Sequence, residues 1–244
     1  MKLLPDYKMY TIDTITASSV NALFPAANLK EYDPAVIFKA AGFLADVTLV
    51  IDLLVARSVK NIWLNNANFV NATLQANDIN SWTSPAVSKN VTMAADDVGV
   101  IKGYFELSLN SYRYIRILIP VQALTDGENV PSLGNVIVGS DVALSPVSKW
   151  SPDVNHEFYS FVADGGSYFK TQKTKPRHVF GVAMEHITKP DFSALPLNGW
   201  QHAIVFTDLG DVADSYLVYP PAGRKSEVLN NLDCSTDFVL EELV

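Results

Sequence analysis

Cysteine is nearly absent from the sequence. Cys234 stands alone, so no disulfide can close within the chain, and a small disulfide-stapled scaffold is excluded. Its surroundings, Leu232-Asp233-Cys234-Ser235-Thr236, hold an acid and no histidine. Acidic neighbours raise a thiol's pKa, the wrong direction for a nucleophile, so an inert thiol is expected. Positive charge is also scarce: 18 Lys and Arg face 26 Asp and Glu, a formal charge of −8. A grip on nucleic acid or on an anionic membrane needs a basic face, so neither partner is expected. Charged residues of both signs reach only 18%, below the usual ~25%, while hydrophobic residues reach 48%. That balance excludes disorder and suggests surface covered by partners.

Long apolar runs are missing as well. The longest, from Val47 to Ala56, is interrupted by Asp52 and falls well short of the ~20 residues a spanning helix needs. Met1-Lys2-Leu3-Leu4-Pro5-Asp6 leads into no apolar signal region, so a soluble protein made in a cytoplasm is expected. Nor is there a nucleophile elbow, a phosphate loop or a dinucleotide fingerprint. His156, His178, His186 and His202 show no zinc spacing. The acidic run 208–214 suits a turn better than a calcium loop. Glu106, Glu128, Glu157 and Glu185 show no spacing that would pair two carboxylates across a sugar. No catalytic residue, metal or cofactor is therefore expected, and the chain reads as a non-enzyme.

What is present is β pattern. Tyr10 to Ala17, Asp46 to Leu53, Val59 to Leu64, Ala72 to Asn77, Tyr104 to Leu109, Tyr112 to Ile119 and Asn135 to Gly139 are alternating or β-branched runs. Asn110-Ser111 is a tight-turn candidate between two of them. Arg113 and Arg116 fall on opposite faces of the last-but-one run, so at least one must find a partner or reach an end. One short helix is expected, from Pro34 to Ala40, with Asp33 able to cap it. Residues 78–90 read as a loop. The composition shifts near 145, and Pro146, Pro152, Asp153 and Asn155 mark 146–155 as the candidate boundary. Further runs follow on both sides of a turn at Asp164-Gly165-Gly166, and a basic stretch extends from Lys170 to Arg177. About twelve short strands at even spacing predict an all-β chain: a β-sandwich over 1–145, then a β-rich unit over 146–244 that could share its core.

Aromatic side chains raise the question of binding. Trp63 lies inside an apolar strand and is expected to be buried. Trp82, in Asn80-Ser81-Trp82-Thr83-Ser84-Pro85, lies in a polar loop, where an indole can pack locally, meet a protein or stack on a sugar.

Four segments carry a resemblance. They are Leu23-Phe24-Pro25-Ala26-Ala27-Asn28-Leu29; Val47 to Leu53 followed by Val59 to Asn68; Tyr112-Arg113-Tyr114-Ile115-Arg116-Ile117; and Val136-Ile137-Val138-Gly139. In this order they resemble the β-sandwich of tail proteins of tailed bacteriophages, related to the galactose-binding, discoidin-like jelly roll. Leu54 departs from the pattern, which usually has glycine there. The resemblance implies a discoidin-like jelly roll over about residues 8–145 and a structural part of a phage tail tip or baseplate. Its partners would be other tail-tip proteins and symmetry-related copies of itself, and its place the virion. The alternative is a carbohydrate-binding module for adhesion to a host glycan. In lectin-like jelly rolls ligands sit on loops at one end, here about 28–38, 65–71 and 77–90. Trp82, Asn68 and Asn71 are the candidate interface or glycan contacts.

Overall fold

The computed structural model describes residues 2–5, 9–31, 36–96, 99–140, 142–143, 149–155, 158–162, 168–172, 177–188, 203–206, 215–218, 225–228 and 233–241. Among them every regular element is a strand except a 3-10 helix at Ala26–Lys30. The expectation of an all-β chain therefore holds. The residues cluster into two compact units, one of Tyr7–Asp141 with Phe206–Ser215, the other of Met1–Asp6 with Val142–Val205 and Tyr216–Val244. The division expected from the sequence is 1–145 and 146–244.

The strands are β1 (Lys2–Pro5), β2 (Thr14–Ala17), β3 (Phe38–Lys39), β4 (Val47–Ala67), β5 (Asn71–Asn77), β6 (Val87–Thr92), β7 (Ala94–Ala95), β8 (Ile101–Ile119), β9 (Ser132–Leu133) and β10 (Asn135–Gly139). They continue with β11 (Val142–Ala143), β12 (Lys149–Asn155), β13 (Phe158–Val162), β14 (Tyr168–Gln172), β15 (Arg177–Thr188), β16 (Ala203–Phe206), β17 (Ser215–Val218), β18 (Lys225–Val228) and β19 (Asp233–Glu241).

The unit built on Tyr7–Asp141 is organised by two long strands. β4 and β8 pair antiparallel from Val47↔Ile119 to Ala67↔Ile101, with register shifts at Asp52/Arg57, Val59/Asn61 and Leu64/Ala67. Around them the sheet runs β10-β4-β8-β5-β6, with β2 also beside β4 and β7 beside β8. From the first shift onward 54–58 of β4 are exposed; in β8, Tyr112 opposite Arg57 is buried, and the exposed residues are Ser111 and Asn110, opposite Ser58 and Val59. Before this bend Val47, Leu49, Ile51 and Leu53 point inward; after it the inward set is Val59, Ile62 and Leu64. The parity changes between Val59 and Ile62, at the Val59/Asn61 shift, where β8 advances from Asn110 to Glu106 while β4 advances from Val59 to Asn61.

Side chains from both sides of the bend belong to one buried cluster. Leu49, Ile51, Leu74, Ile115 and Ile117 lie before it, and Val59, Ile62, Leu64, Phe105, Val136 and Val138 after it. The ribbon thus folds over its own core as a sandwich, each large apolar side chain contributing about 1.5–3 kcal/mol. Trp63 is buried, as expected, but on the face opposite Ile62 and Leu64, in a row with Tyr104 and Ile137.

Several local expectations are corrected. The runs 46–53 and 59–64 form one continuous strand, and so do 104–109 and 112–119. Asn110-Ser111 is no tight turn. Both residues pair with β4, as Asn110↔Val59 and Ser111↔Ser58, because the partner strand bends at the same level. The helix expected from Pro34 to Ala40 is absent from its described part. There Phe38 and Lys39 pair with Leu133 and Ser132, and the Phe38 side chain is buried in the core. Residues 32–35 lie outside the described residues. The loop expected over 78–90 ends earlier, at the start of β6.

Leu54, where the resemblance expects glycine, has φ 66° in the bend. That is left-handed backbone, which glycine adopts freely and a leucine resists. Its N–H donates to Asp52 Oδ1 at 2.8 Å, and its side chain is 59% exposed.

In the other unit, β12-β15-β19-β18 form one sheet, β11-β1-β16-β17 a second, and β13 pairs with β14. The candidate boundary 146–155 is strand from Lys149 onward. Pro152 fits there because β12 is an edge strand, where a missing N–H need break no ladder bond. The turn at Asp164-Gly165-Gly166, the acidic run 208–214 and residues 173–176 of the basic stretch lie outside the described residues. So do the side chains of Cys234 and of the four histidines.

Candidate binding face

Alternation in β5 buries Ala72, Leu74 and Ala76 and turns Asn71, Thr73, Gln75 and Asn77 outward. In β8 the same rule buries Ile115, Ile117 and Ile119 and turns Tyr114, Arg116 and Leu118 outward. Strand register then aligns these side chains into rows. One row runs Thr16, Val50, Arg116, Gln75, Ser88 from β2 to β6. The next toward the bend runs Thr14, Asp52, Tyr114, Asn77. On the other side lie Thr48, Leu118, Thr73 and Asn90.

Arg116 is the centre of this face. Its Nε donates to Gln75 Oε1 at 2.6 Å, and its guanidinium carbon lies 4.8 Å from the centre of the Trp82 ring. Gln75 in turn donates through Nε2 to Ser88 Oγ at 3.2 Å, and Thr73 Oγ1 donates to Asn90 Oδ1 at 2.9 Å. Partial burial lowers the Arg116 pKa from its ordinary value; an arginine nevertheless keeps its charge.

The loop after β5 returns Trp82 to this position. Asn77 Nδ2 donates to Ser81 O at 2.8 Å, Ser81 N–H donates to Ile79 O at 2.8 Å, and Trp82 Nε1 donates to Asn80 Oδ1 at 2.9 Å. The indole is half-buried and held at its edge, and the guanidinium lies over one face.

Arg113 behaves differently. Its Nε and Nη2 reach Asp52 Oδ1 and Oδ2, both at 2.9 Å, a two-pronged fork. That fork holds the Asp52 carboxyl below the usual carboxylate range and raises Arg113. Both arginines have thus found partners, one a carboxylate, the other a neutral amide and an indole.

Asn68 and Asn71 lie elsewhere. They stand at the start of β5, whereas Asn77 and the Trp82 loop stand at its end, about 20 Å away at ~3.3 Å per residue. The expected loops 65–71 and 77–90 are therefore at opposite ends of the strand and cannot line one loop site. Asn68 is buried and saturated: Nδ2 donates to Asp126 Oδ1 and Oδ2 at 3.2 and 3.0 Å and to Val130 O at 3.0 Å. Its Oδ1 accepts from Ser132 N–H at 2.8 Å. Asn71 accepts from Thr92 Oγ1 at 3.2 Å, and its backbone is bridged by the Gln122 amide at 2.9 and 2.7 Å. These residues clamp loops together. The buried ion pair of Lys102 Nζ with Asp96 Oδ2, at 2.7 Å, is likewise internal.

Gln75 and Ser88 were not singled out by sequence, and Arg116 was noted only for the face it occupies. Their outward parity was visible, but the register joining them was not. Among the described residues no cluster of three or more His, Cys, Asp or Glu could hold a metal ion. Among the same residues no helix is long and apolar enough to cross a membrane.

No family model and no curated protein matches the sequence. Among solved structures, similarity is found to a chitosan-binding module of a chitosanase/glucanase from Paenibacillus sp. IK-5, with 21% identity, a TM-score of 0.41, and 52% of this chain and 94% of that one covered. A fucose-binding module of Streptococcus pneumoniae is similar at 13% identity and a TM-score of 0.43, over 54% of this chain and 95% of that one. The lectin domain of lectinolysin, in complex with Lewis B antigen, is similar at 14% identity and a TM-score of 0.41, over 51% and 90%.

Proposed function

We propose that the chain is a non-enzymatic carbohydrate-binding β-sandwich whose site is the outer face around Trp82. One observation carries this reading: Trp82 is fixed at its edge by Asn80 and stands over Arg116 beside Gln75, Ser88, Thr73 and Asn90. A pyranose presents an apolar C–H face and a rim of hydroxyls. An indole plane bordered by amide and hydroxyl groups meets both demands. The similar solved domains are described as binding chitosan, fucose and Lewis B; at their level of similarity they lend no residue to this chain. The test is a glycan array read with the wild-type chain and with Trp82→Ala. Binding that Trp82→Ala removes supports the site, and an array without a single hit ends the reading.

A second reading, assembly into a phage tail tip and residence in the virion, rests on the sequence resemblance, and a different surface suits the protein contact it requires. Val20, Leu23, Leu44 and Val121 are 41%, 82%, 103% and 56% exposed, and they lie on the connections at the end opposite Trp82. Leu54, Val55 and Ile79 are exposed as well, at the bend and after β5. Val20, Leu23, Leu44 and Val121 thus supply one apolar end among several exposed apolar side chains, and such an end suits contact with another protein. Particles of the producing phage, imaged by cryo-electron microscopy, test it. Density for this chain at the tail tip with that end against a neighbour supports assembly, and particles without the chain oppose it.

A further inference from the structure

We infer that the saccharide bound on this face is anionic, and that Arg116 receives its carboxylate. The inference rests on the reading of the face as a saccharide site and adds the ligand's charge. Arg116 carries five N–H donors in a planar fork, and among the described residues only Nε has a hydrogen-bond partner, Gln75. Its four terminal N–H groups have none among them, and the ring stacked on it accepts no proton. No carboxylate is paired with it there either. The nearest acid on the outward rows, Asp52, is engaged by both prongs of Arg113.

The neighbours leave donors over in the same way. Gln75 is engaged at both ends: its oxygen accepts from Arg116, and its nitrogen donates one N–H to Ser88. Ser88 accepts that bond through Oγ and retains its O–H. Asn90 accepts from Thr73 through Oδ1 and retains its NH2. The rows around Arg116 therefore present a charged fork and neutral donors, while the amide oxygens of Gln75 and Asn90 already accept from within the protein. A ligand rich in acceptors and bearing one negative charge complements that pattern. A carboxylate does so in the two-pronged geometry that arginine favours, while Trp82 meets the ring that carries it. Holding the guanidinium between Gln75 and Trp82 also removes much of the side-chain freedom that binding would otherwise have to freeze.

The experiment is an array of neutral, uronate- or sialate-bearing and sulfated glycans, followed by titration of oligogalacturonate and its methyl ester. Titrations use the wild-type chain, Arg116→Gln and Arg116→Lys, with thermal unfolding to show that the variants fold. The expected result is binding of carboxylated glycans, at least tenfold weaker for the methyl ester or for Arg116→Gln. Arg116→Lys keeps the charge but not the fork, and is expected to fall between wild type and Arg116→Gln. Binding of neutral glycans alone, of sulfated glycans alone, or of acidic glycans with equal strength by Arg116→Gln overturns the inference while leaving a saccharide site standing. Failure to bind any glycan overturns the underlying reading as well.

Discussion

Asn68 and Arg116 invite comparison, because each is a polar side chain held by neighbours far away in sequence. Asn68 donates to Asp126 and Val130 and accepts from Ser132, so its amide is satisfied within the protein. It is also buried. Arg116 touches Gln75 and Trp82 and has N–H groups without partners among the described residues. The first arrangement ties loops to the sandwich. The second costs charge burial and side-chain order without matching the charge, which is what a site waiting for a ligand looks like. A list of polar loop residues cannot separate the two, since what distinguishes them is hydrogen-bonding capacity left over.

Asn68→Ala tests the first half of that contrast and should have the largest effect. It removes the amide and leaves Ser132 N–H and Val130 O without it. A loss of about 3 kcal/mol is expected in denaturant unfolding, with an unchanged slope. Glycan binding by the folded fraction should not change. A variant of wild-type stability would mean that the clamp is replaceable by water.

Trp82→Ala tests the second half and should reverse the pattern. Stability is expected to fall by only about 1 kcal/mol, the scale of a half-exposed cation–π contact with some packing. Saccharide affinity should fall about tenfold or more, since an aromatic stack is worth about 0.5–1.5 kcal/mol before the disorder of the released Arg116 is added. Equal loss of stability and binding would place Trp82 with Asn68, as a structural residue.

The separation of these two places was within reach of the sequence. The alternating run from Ala72 to Asn77 was legible as a strand, and a strand between two loops sends them to opposite ends. Trp82 could therefore have been parted from Asn68 and Asn71 before any coordinates. The burial of Trp63 and the inward parity of Leu49, Ile51, Ile115 and Ile117 were legible for the same reason. The bend was not. Asn110-Ser111 has the composition of a turn, and it stays in strand only because β4 bends opposite it, a fact held by residues 54–58. Nor could alternation place Gln75 against Arg116, because register between strands 41 residues apart depends on every bulge between them.

Leu54→Gly sharpens the comparison from the side of the bend, with a smaller effect and the opposite sign. The left-handed backbone at φ 66° costs a leucine about 1–2 kcal/mol, and glycine gives back roughly 0.5–1 kcal/mol through its larger unfolded-state freedom. A net gain of about 0.5 kcal/mol is expected. Because the side chain is mostly exposed, little burial is lost. Leu54→Ala keeps the Cβ that causes the strain and should not show the gain. Equal stabilisation by both would locate the effect in the exposed side chain instead of the backbone.

The smallest effect belongs to the arginine that does have a carboxylate. Asp52 is held below its ordinary range chiefly by the hydrogen bond from Arg113, so the folded protein keeps it ionised to lower pH than the unfolded chain does. Its contribution to stability is therefore fully present above the unfolded carboxylate value of about 4, and it fades as pH falls through the lower folded value. Asp52→Asn should flatten the stability profile in that acid window relative to wild type, with the two curves parallel above it. Arg116→Gln, which removes a cation with no carboxylate partner among the described residues, should leave the shape of the acid limb unchanged. If Arg116→Gln flattened it as well, a carboxylate of this chain would be engaging Arg116, and the fork offered to a ligand would already be occupied.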